Sequence, residues 1–500
     1  MTTITATLQQ FKQHLADLAR LSQAAALLNW DLETGMPRKG AAARAEALGL
    51  LSGEIFTRFV SPQTAEALAA LTAPGVTLDA TDAALVRVTR RDYDKSQAIP
   101  PALVREIATV AGQAQPAWEQ ARHDNTFAPF VPYLTRLLAL KCEVADIVGH
   151  RGNRYDALLD DYEPGLTAAA LIPLIADLRR ELVPLVDAII DRQQSQPAPA
   201  VPAVPVEAQR ALALALLDLL HFDSDAGRLD ASAHPFSITI APGDHRVTTR
   251  FDVADFRSSF FSVLHECGHA LYELGIPAAL QLTPLADGAS MAIHESQSRF
   301  WENVVGRSRP FLAFVLPLLQ RHCPALAAWS ADDLFRSANS VRRSLIRTEA
   351  DEVTYNLHVM LRFELENELL GGRLAVTDLP AAWNDRCRAL LGCTPASDRE
   401  GVLQDVHWAH GSFGYFPSYM LGNLYAAQLT DALRRDLPDF DTLLARGDTQ
   451  APLAWLRDRV HRHGRMLEPH ELMLRATGSA PDSRHFLAYL RSKFLGDARS

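Results

Sequence analysis

The chain has 500 residues, of which 48% are hydrophobic and 22% charged, a composition typical of a large globular protein. Its 49 Lys and Arg residues against 59 Asp and Glu residues leave a net charge of −10. This balance argues against a nucleic-acid-binding protein, because phosphate binding needs a cationic surface. No uninterrupted apolar run is long enough for a transmembrane helix, so the sequence predicts no membrane span.

The first residues and the cysteines indicate the compartment. Met1 to Leu21 are polar and helix-like, without the apolar stretch of a signal peptide. The five cysteines form an odd, sparse set without a C-x-x-C pair: Cys142, Cys267, Cys323, Cys387 and Cys393. Such a set predicts neither a disulfide framework nor a cysteine zinc cluster. We therefore expect a soluble protein of a reducing compartment, the cytoplasm.

Most of the chain has the apolar spacing of α-helices. Apolar residues recur three or four positions apart in residues 8–21, 134–148, 171–190 and 212–220. Ala, Leu and Arg dominate, and these residues favour helices. The sequence therefore predicts a mainly α protein.

A proline-rich stretch interrupts this pattern from Gln193 to Val206. It contains four prolines that alternate with small residues: Pro197, Pro199, Pro202 and Pro205. Such a stretch cannot hydrogen-bond as a helix and predicts an extended surface loop. We expect one domain over residues 1–500, with this loop between an N-terminal helical lobe (about 1–195) and a C-terminal lobe (about 207–500).

One segment has the alternating pattern of β-strands. From Pro235 to Val253, apolar and polar residues alternate on both sides of the turn signal Pro242-Gly243-Asp244. This pattern predicts a β-hairpin directly before the most informative helix of the chain.

That helix carries the motif H-E-x-x-H at His265, Glu266 and His269. Asp255 is a plausible N-cap, and Gly275 followed by Pro277 ends the helix. Histidines four residues apart lie on one helix face, where two imidazoles can bind one zinc ion. Glu266 projects about 100° away, where it can take a proton from an attacking water. The alternative is a fortuitous pair of surface histidines.

A catalytic zinc site usually has three protein ligands. The best candidate for the third is Glu295, in a second helical pattern that Asp287 or Ser290 could cap and that ends near Gly306. His294 is the rival, because adjacent helix positions diverge by about 100° and only one of the two can face the ion.

These motifs, taken in order, resemble the carboxypeptidase Taq family of zinc metallocarboxypeptidases. The matching segments are His234-Pro235-Phe236, Asp244-x-Arg246-x-Thr248, His265-Glu266-x-x-His269, His294-Glu295-Ser296-Gln297, Ile346-Arg347-x-x-Ala350-Asp351, Gly401-x-x-Gln404-Asp405-x-His407-Trp408 and Gly414-Tyr415-Phe416-Pro417-Ser418-Tyr419. Weaker stretches at Trp30-Asp31 and Tyr155-Asp156 extend the resemblance over nearly the whole chain.

The resemblance implies a mainly α, multi-helix peptidase of the gluzincin type, with a small β-sheet and zinc at the floor of a deep groove. It implies Glu295 as the third zinc ligand, with cobalt as a possible substitute metal. It also implies a homodimer that removes C-terminal residues from peptides with broad specificity.

Two arginines are candidates for substrate binding. Arg347 resembles the family's proposed binding element for the substrate's terminal carboxylate, which a guanidinium holds through two parallel hydrogen bonds. The alternative is a structural salt bridge to Asp351, four residues along the same predicted helix. Arg246 resembles part of a family motif thought to limit how far the groove extends. Otherwise Arg246 is simply solvated and Asp244 caps the hairpin turn.

Three residues are candidates for stabilising the oxyanion or touching substrate: His407, His410 and Tyr419. They lie in a stretch rich in glycines and aromatic residues, which is otherwise typical of core packing. An exposed strand of the hairpin could also pair with an extended peptide. Cys267 is expected to be a small helix residue, because its neighbour Glu266 would not activate a thiol.

The sequence thus predicts a cytoplasmic zinc metallocarboxypeptidase. In this hypothesis His265, His269 and Glu295 bind the metal, Glu266 is the general base, and Arg347 anchors peptides with a free C-terminus. The alternatives are a zinc oligoendopeptidase on a related scaffold, and an inactive peptide-binding protein that keeps the metal for stability.

Overall fold

The computed structural model describes residues 2–496, which form mainly helices and one small sheet. The α-helices are α1 (Thr2–Thr34), α2 (Ala41–Phe59), α3 (Pro62–Leu71), α4 (Ala80–Ala98), α5 (Pro101–Asp124), α6 (Val131–Val148), α7 (Arg154–Leu159), α8 (Ala168–Gln194), α9 (Val206–Leu219), α10 (Phe256–Leu274), α11 (Met291–Arg299), α12 (Arg309–His322), α13 (Ala331–Ala338), α14 (Tyr355–Leu370), α15 (Leu379–Leu391), α16 (Phe416–Asp436), α17 (Phe440–Ala445), α18 (Gln450–Arg459), α19 (Pro469–Thr477) and α20 (Ser483–Leu490). The strands are β1 (Gly227–Ala231), β2 (Ser237–Ala241) and β3 (Asp244–Thr249).

The predicted mainly α fold is confirmed. All four periodic segments lie in helices, namely α1, α6, α8 and α9. Their apolar faces are buried, as at Leu15, Leu137, Leu178 and Leu216. Within the described residues, no helix combines the length and apolarity that a membrane crossing requires.

The proline-rich stretch contains no helix between the end of α8 and the start of α9. Near its end, Val204 N–H donates to the carbonyl of Val253 (2.9 Å), and the Gln209 amide donates to the carbonyl of Asp252 (2.7 Å). The main hydrophobic core contains residues from both sides of this loop. The division into two lobes stays a prediction.

The hairpin is confirmed, but the sheet has a third strand. β2 and β3 pair antiparallel around Gly243, whose φ of +81° is accessible to glycine without strain. β1 pairs parallel to β3, giving the order β1-β3-β2. The sequence did not reveal β1, since Gly-Arg-Leu-Asp-Ala has a single large apolar residue, Leu229, and no clear alternation.

The N-terminal helices help to position the loop that follows α10. A second hydrophobic cluster joins Phe11 of α1, Leu68 of α3 and Leu85 of α4 to Ile276 and Leu285. The last two residues lie between α10 and α11. Burial of these side chains therefore fixes the connection between the two helices that carry the predicted metal ligands.

A buried carboxylate joins the segment after α7 to the start of α11. Glu163 is 1% exposed and accepts a hydrogen bond from the backbone N–H of Ala292 (2.5 Å) and from the hydroxyl of Ser418 (3.2 Å). Burial raises the pKa of Glu163 to about 7. An acid with a raised pKa in the folded state favours folding at low pH, and this contribution is lost as the pH rises.

We predict that Glu163→Gln reduces the pH dependence of stability. The pKa of the wild-type group rises from 4.5 to about 7 on folding, so the contribution of Glu163 to the stability of the fold decreases between pH 5 and pH 8. At roughly 1.4 kcal/mol per pKa unit, the variant should lose about 2–3 kcal/mol less over this interval. Urea unfolding of both chains at pH 5 and pH 8 measures the difference. Equal pH dependence in the two chains would contradict the assignment.

Candidate functional site

Helix α10 forms as predicted and presents the H-E-x-x-H motif. The carboxylate of Asp255 caps its N-terminus by accepting the backbone N–H of Arg257 (3.1 Å), and the helix ends at Leu274, before Gly275. The rings of His265 and His269 lie on one face with centroids 5.0 Å apart.

Helix α11 begins after Ser290, whose hydroxyl accepts the backbone N–H of Ile293 (3.1 Å). Of the two predicted caps, Ser290 fills the role and Asp287 does not. After Arg299 the backbone continues as a π-helical segment from Phe300 to Gly306, so the predicted end near Gly306 is correct.

Two glycines allow α11 to lie close to both of its neighbours. A Cβ atom on Gly422 of α16 would lie 2.4 Å from Cγ of Glu295. A Cβ atom on Gly268 of α10 would lie 2.7 Å from the carbonyl oxygen of Gln297. Both distances are shorter than any real Cβ contact, so any larger residue would displace α11.

This packing brings three ligand atoms together. Oε2 of Glu295 lies 3.7 Å from Nε2 of His265 and 3.5 Å from Nε2 of His269. All three atoms lie within 4.8 Å of one another. Donors about 2.1 Å from one ion at tetrahedral angles lie about 3.4 Å apart. The set therefore has the chemistry and the spacing of a divalent-metal site.

The neighbouring His294 does not join this triangle. Its Nδ1 lies 2.6 Å from Nδ1 of His269, and its Nε2 lies 3.0 Å from Oε1 of Glu273. The imidazole of His294 thus lies behind His269, on the side away from Glu295. Of the two candidate third ligands, the fold brings Glu295 to the histidine nitrogens.

Two residues missed in the sequence hold the ligands in place. Arg299 Nε donates to Oε1 of Glu295 (2.6 Å), which leaves Oε2 directed at the histidines. Glu302 Oε2 lies 2.9 Å from Nδ1 of His265 and also accepts from Arg299 Nη1 (3.1 Å). Arg299 lies four residues after Glu295 and three residues before Glu302. Residues at these spacings are neighbours on a helix surface, so the spacing of the three charges could have indicated both ion pairs.

The arginine keeps both acids ionised. Burial by itself would raise the pKa of Glu295 and of Glu302, but the Arg299 guanidinium and His265 hold both pKa values well below their usual range. Two ionised carboxylates can therefore persist in a buried position, as metal binding requires.

Glu266 has a different environment. It is 7% exposed, and burial raises its pKa to about 7, although His265 and the hydroxyl of Ser237 oppose the shift. A carboxyl group with a pKa near neutrality suits a group that accepts and returns a proton. Ser237 is the first residue of β2, so the hairpin lies directly beside Glu266.

Arg347 does not pair with Asp351, and the two do not share a helix. Arg347 lies in a short 3₁₀ turn (Arg347–Glu349), and the Asp351 carboxylate accepts backbone N–H groups of Val353 and Thr354. Arg347 instead donates from Nε (3.0 Å) and Nη2 (2.8 Å) to Oδ1 of Asp405, 58 residues away. The predicted alternative was wrong because Asp351 caps the turn that starts α14.

Asp405 serves two arginines at once. Its Oδ2 accepts from Nε of Arg362 (2.6 Å), whose side chain is fully buried. Burial together with both arginines, against the opposing effect of Asp405, lowers the pKa of His358 to about 3 and that of His407 to about 4, so these rings are neutral near pH 7. Among the described residues Asp405 is the one acid paired with these guanidinium groups, which leaves the cluster with a charge of about +1.

Tyr355 connects this cluster to the predicted metal ligands. Its hydroxyl accepts from Nη1 of Arg347 (2.8 Å), and the Arg299 guanidinium lies over its ring, 4.5 Å from the centroid. Arg299 in turn binds Glu295. Tyr355 was not predicted from the sequence, because it does not belong to any of the motifs that indicated the site.

Two of the three candidate oxyanion residues lie beside Arg347. The hydroxyl of Tyr419 is 3.4 Å from Nε2 of His407, and the Arg347 guanidinium lies 4.9 Å from the centre of the Tyr419 ring. His410 is exposed and lies 3.2 Å from the amide oxygen of Gln115. The fold therefore separates His410 from the other two.

Arg246 is not merely solvated. It donates from Nε and Nη2 to both oxygens of Asp244 (2.7 Å each), so Asp244 is its ion partner. Its guanidinium also lies 4.2 Å from the centre of the Trp30 ring, and Arg228 lies over the same ring at 5.0 Å. These contacts attach α1 to the sheet.

Cys267 is fully buried in α10, and burial raises the pKa of its thiol. A protonated thiol without a nearby base is not a nucleophile. Its position agrees with a packing role.

Comparison with known proteins identifies the family of the chain. Residues 10–494 match the family model described as carboxypeptidase Taq (M32) metallopeptidase. The chain is 43% identical to thermostable carboxypeptidase 1 of Thermus thermophilus and 41% identical to carboxypeptidase 1 of Bacillus subtilis, in each case over 97% of both chains. The crystal structure of an M32 carboxypeptidase from Deinococcus radiodurans is similar with a TM-score of 0.95 and 40% identity, covering 98% of this chain and 99% of that one. The chain therefore belongs to the carboxypeptidase Taq (M32) family and is a metallocarboxypeptidase, a hydrolase of peptides.

Proposed function

We propose that this metallocarboxypeptidase is zinc-dependent and removes C-terminal residues with broad specificity. The observation that carries the proposal is the convergence of His265 Nε2, His269 Nε2 and Glu295 Oε2 beside the buried carboxyl group of Glu266. Cobalt is the expected substitute metal.

His265, His269 and Glu295 would hold the ion, which when bound polarises the scissile carbonyl and lowers the pKa of water. Glu266 accepts the proton of the attacking water and then returns it to the leaving amine. Burial raises the pKa of Glu266, and this makes its carboxylate a better proton acceptor than an exposed one.

Arg347 anchors the terminal carboxylate of the peptide. A guanidinium has five N–H groups, and three of those on Arg347 are used by Asp405 and Tyr355. One N–H therefore remains on Nη1 and one on Nη2, and both are available as donors to a substrate carboxylate. The charge of about +1 on the buried Arg347, Arg362 and Asp405 cluster favours an anion at this place.

Tyr419 and His407 assist at the scissile carbonyl. Burial raises the pKa of Tyr419 well above its usual value, so its hydroxyl stays protonated and can donate to the developing oxyanion. His407 lies 3.4 Å from that hydroxyl and can orient it. His410 has no part in this proposal, because it lies at the surface beside Gln115.

Strand β2 supports binding of an extended peptide. β3 is the central strand, so within residues 2–496 one edge of β2 has no strand partner. Main-chain pairing along this edge would tolerate varied side chains. Arg246, fixed between Asp244 and Trp30, would limit how far the peptide extends. Homodimer formation and a cytoplasmic location remain predictions from the family resemblance and the composition.

We predict that Glu266→Gln abolishes turnover while zinc binding is kept. The amide has nearly the same shape but cannot accept the proton of water, so kcat should fall by at least about 10³-fold. Zinc content of the purified variant and its rate on a free-ended peptide are the two measurements. Unchanged turnover would reject Glu266 as the base. Loss of zinc together with activity would show that the variant tests the ligands rather than the base.

We predict that peptides with an amidated C-terminus are poor substrates. Arg347 would lose the charge of its partner, and kcat/KM should fall about 30-fold or more, the equivalent of at least 2 kcal/mol. Mass spectrometry of matched free and amidated peptides, with and without a chelator, follows release residue by residue. Equal cleavage, or fragments from internal bonds, would support an oligoendopeptidase. No cleavage of either peptide by the zinc-loaded chain would support an inactive peptide-binding protein.

We predict that Gly422→Ala weakens zinc binding. The added methyl group would meet the side chain of Glu295 and displace Oε2, so affinity should fall at least about tenfold. Gly112→Ala in α5 is the matched control, because a Cβ there has no atom within 4 Å. The control should keep wild-type affinity and gain up to about 1 kcal/mol of stability. Chelator competition measures both variants, and wild-type affinity in Gly422→Ala would contradict the packing argument.

A further inference from the structure

We infer that His294 is a positioning residue that fixes the proton of His269 on Nδ1 and so leaves Nε2 free for the metal. This inference rests on the proposed metal site. It assigns a role to the histidine that is adjacent to Glu295 but lies outside the ligand triangle.

Three groups form a continuous line behind the site. Nδ1 of His269 is 2.6 Å from Nδ1 of His294, and Nε2 of His294 is 3.0 Å from Oε1 of Glu273. The side chains are 17%, 14% and 25% exposed, so water has limited access to these contacts.

The ring of His294 has little freedom to leave this position. It lies against Tyr272, with ring centroids 5.2 Å apart. On another side its Cδ2 approaches Gly288 so closely that a Cβ there would be 2.8 Å away. Packing therefore fixes the orientation of the His294 ring, and with it the direction in which Nδ1 faces His269.

The direction of each hydrogen bond follows from the two ends of the line. The carboxylate of Glu273 only accepts, so Nε2 of His294 donates to it. A metal ion on Nε2 of His269 would require the one proton of that neutral ring to be on Nδ1. Nδ1 of His269 would then donate across the 2.6 Å contact to Nδ1 of His294, which has to be the acceptor. In this arrangement Nε2 of His269, 3.5 Å from Oε2 of Glu295, is left for the metal.

The two histidine ligands are thus oriented by different means. His265 has a carboxylate, Glu302, directly at its Nδ1 (2.9 Å). His269 has a neutral imidazole at the same atom, with the carboxylate of Glu273 one group further away. The adjacent residues His294 and Glu295 can act on different parts of the site, because the side chains of neighbouring helix positions diverge by about 100°. One side chain enters the ligand triangle, and the other passes behind His269.

The test compares His294→Asn with His294→Leu in the full-length chain. The two replacements have nearly the same shape, but asparagine can place an amide oxygen close to the position of Nδ1 and leucine cannot. We expect leucine to weaken zinc binding by about 10–100-fold and asparagine to weaken it much less. Chelator competition gives the zinc affinity, and the unfolding midpoint of each metal-free chain shows that the comparison is between folded proteins.

Two results would overturn the inference. One is wild-type zinc affinity in His294→Leu, and the other is an equal loss in both variants, which would assign His294 to packing. If the leucine variant does not fold, Glu273→Met decides, because methionine has a similar length but no oxygen that could accept the proton of Nε2 of His294. Wild-type affinity in Glu273→Met would then reject the inference. His265→Ala is the control for the site itself: equal zinc binding by this variant and the wild type would reject the proposed ligands whatever the result at His294.

Discussion

Helix α11 is held between α10 and α16 at two places where the neighbouring helix has no side chain. Gly268 meets the backbone of α11 near Gln297, and Gly422 meets the side chain of Glu295. The rest of the site depends on this close packing, because the side chain of Glu295 has to reach two histidines on another helix. Relieving the contact that an added methyl group would make at either crossing requires a displacement of about 1 Å, which is comparable to half the length of a metal–ligand bond. The shape of the core thus sets the geometry of the chemistry.

Two charged clusters lie on either side of Tyr355. The predicted metal ligands include Glu295, with Glu302 behind them, and Arg299 keeps both acids ionised. The Arg347 and Arg362 pair shares a single aspartate, Asp405. A peptide with a free C-terminus has the complementary pattern, since its terminal carboxylate needs a cation and its last carbonyl needs an electrophile. The arrangement therefore matches exopeptidase chemistry better than cleavage within a long chain.

Local patterns predicted the local structure. The periodic helices, the hairpin and the H-E-x-x-H helix follow from residue spacing alone, because each depends on contacts within a few turns. Long-range partners did not follow from spacing. Arg347 pairs with Asp405 across 58 residues rather than with Asp351 across four, and His410 points to Gln115 across 295 residues. Strand β1 was missed because its pairing with β3, rather than its own apolar pattern, makes it a strand. Spacing likewise left His294 and Glu295 as alternatives for the third ligand. The family resemblance indicated Glu295, and the crossing of α10 and α11 brings its carboxylate to the histidine nitrogens.

The metal site can be tested with a zinc-loaded crystal measured on both sides of the zinc absorption edge. We predict one anomalous peak about 2.0–2.2 Å from Nε2 of His265, Nε2 of His269 and an oxygen of Glu295, with His294 behind His269 and not bound. A peak coordinated by His294 in place of Glu295, or one far from all three side chains, would contradict it.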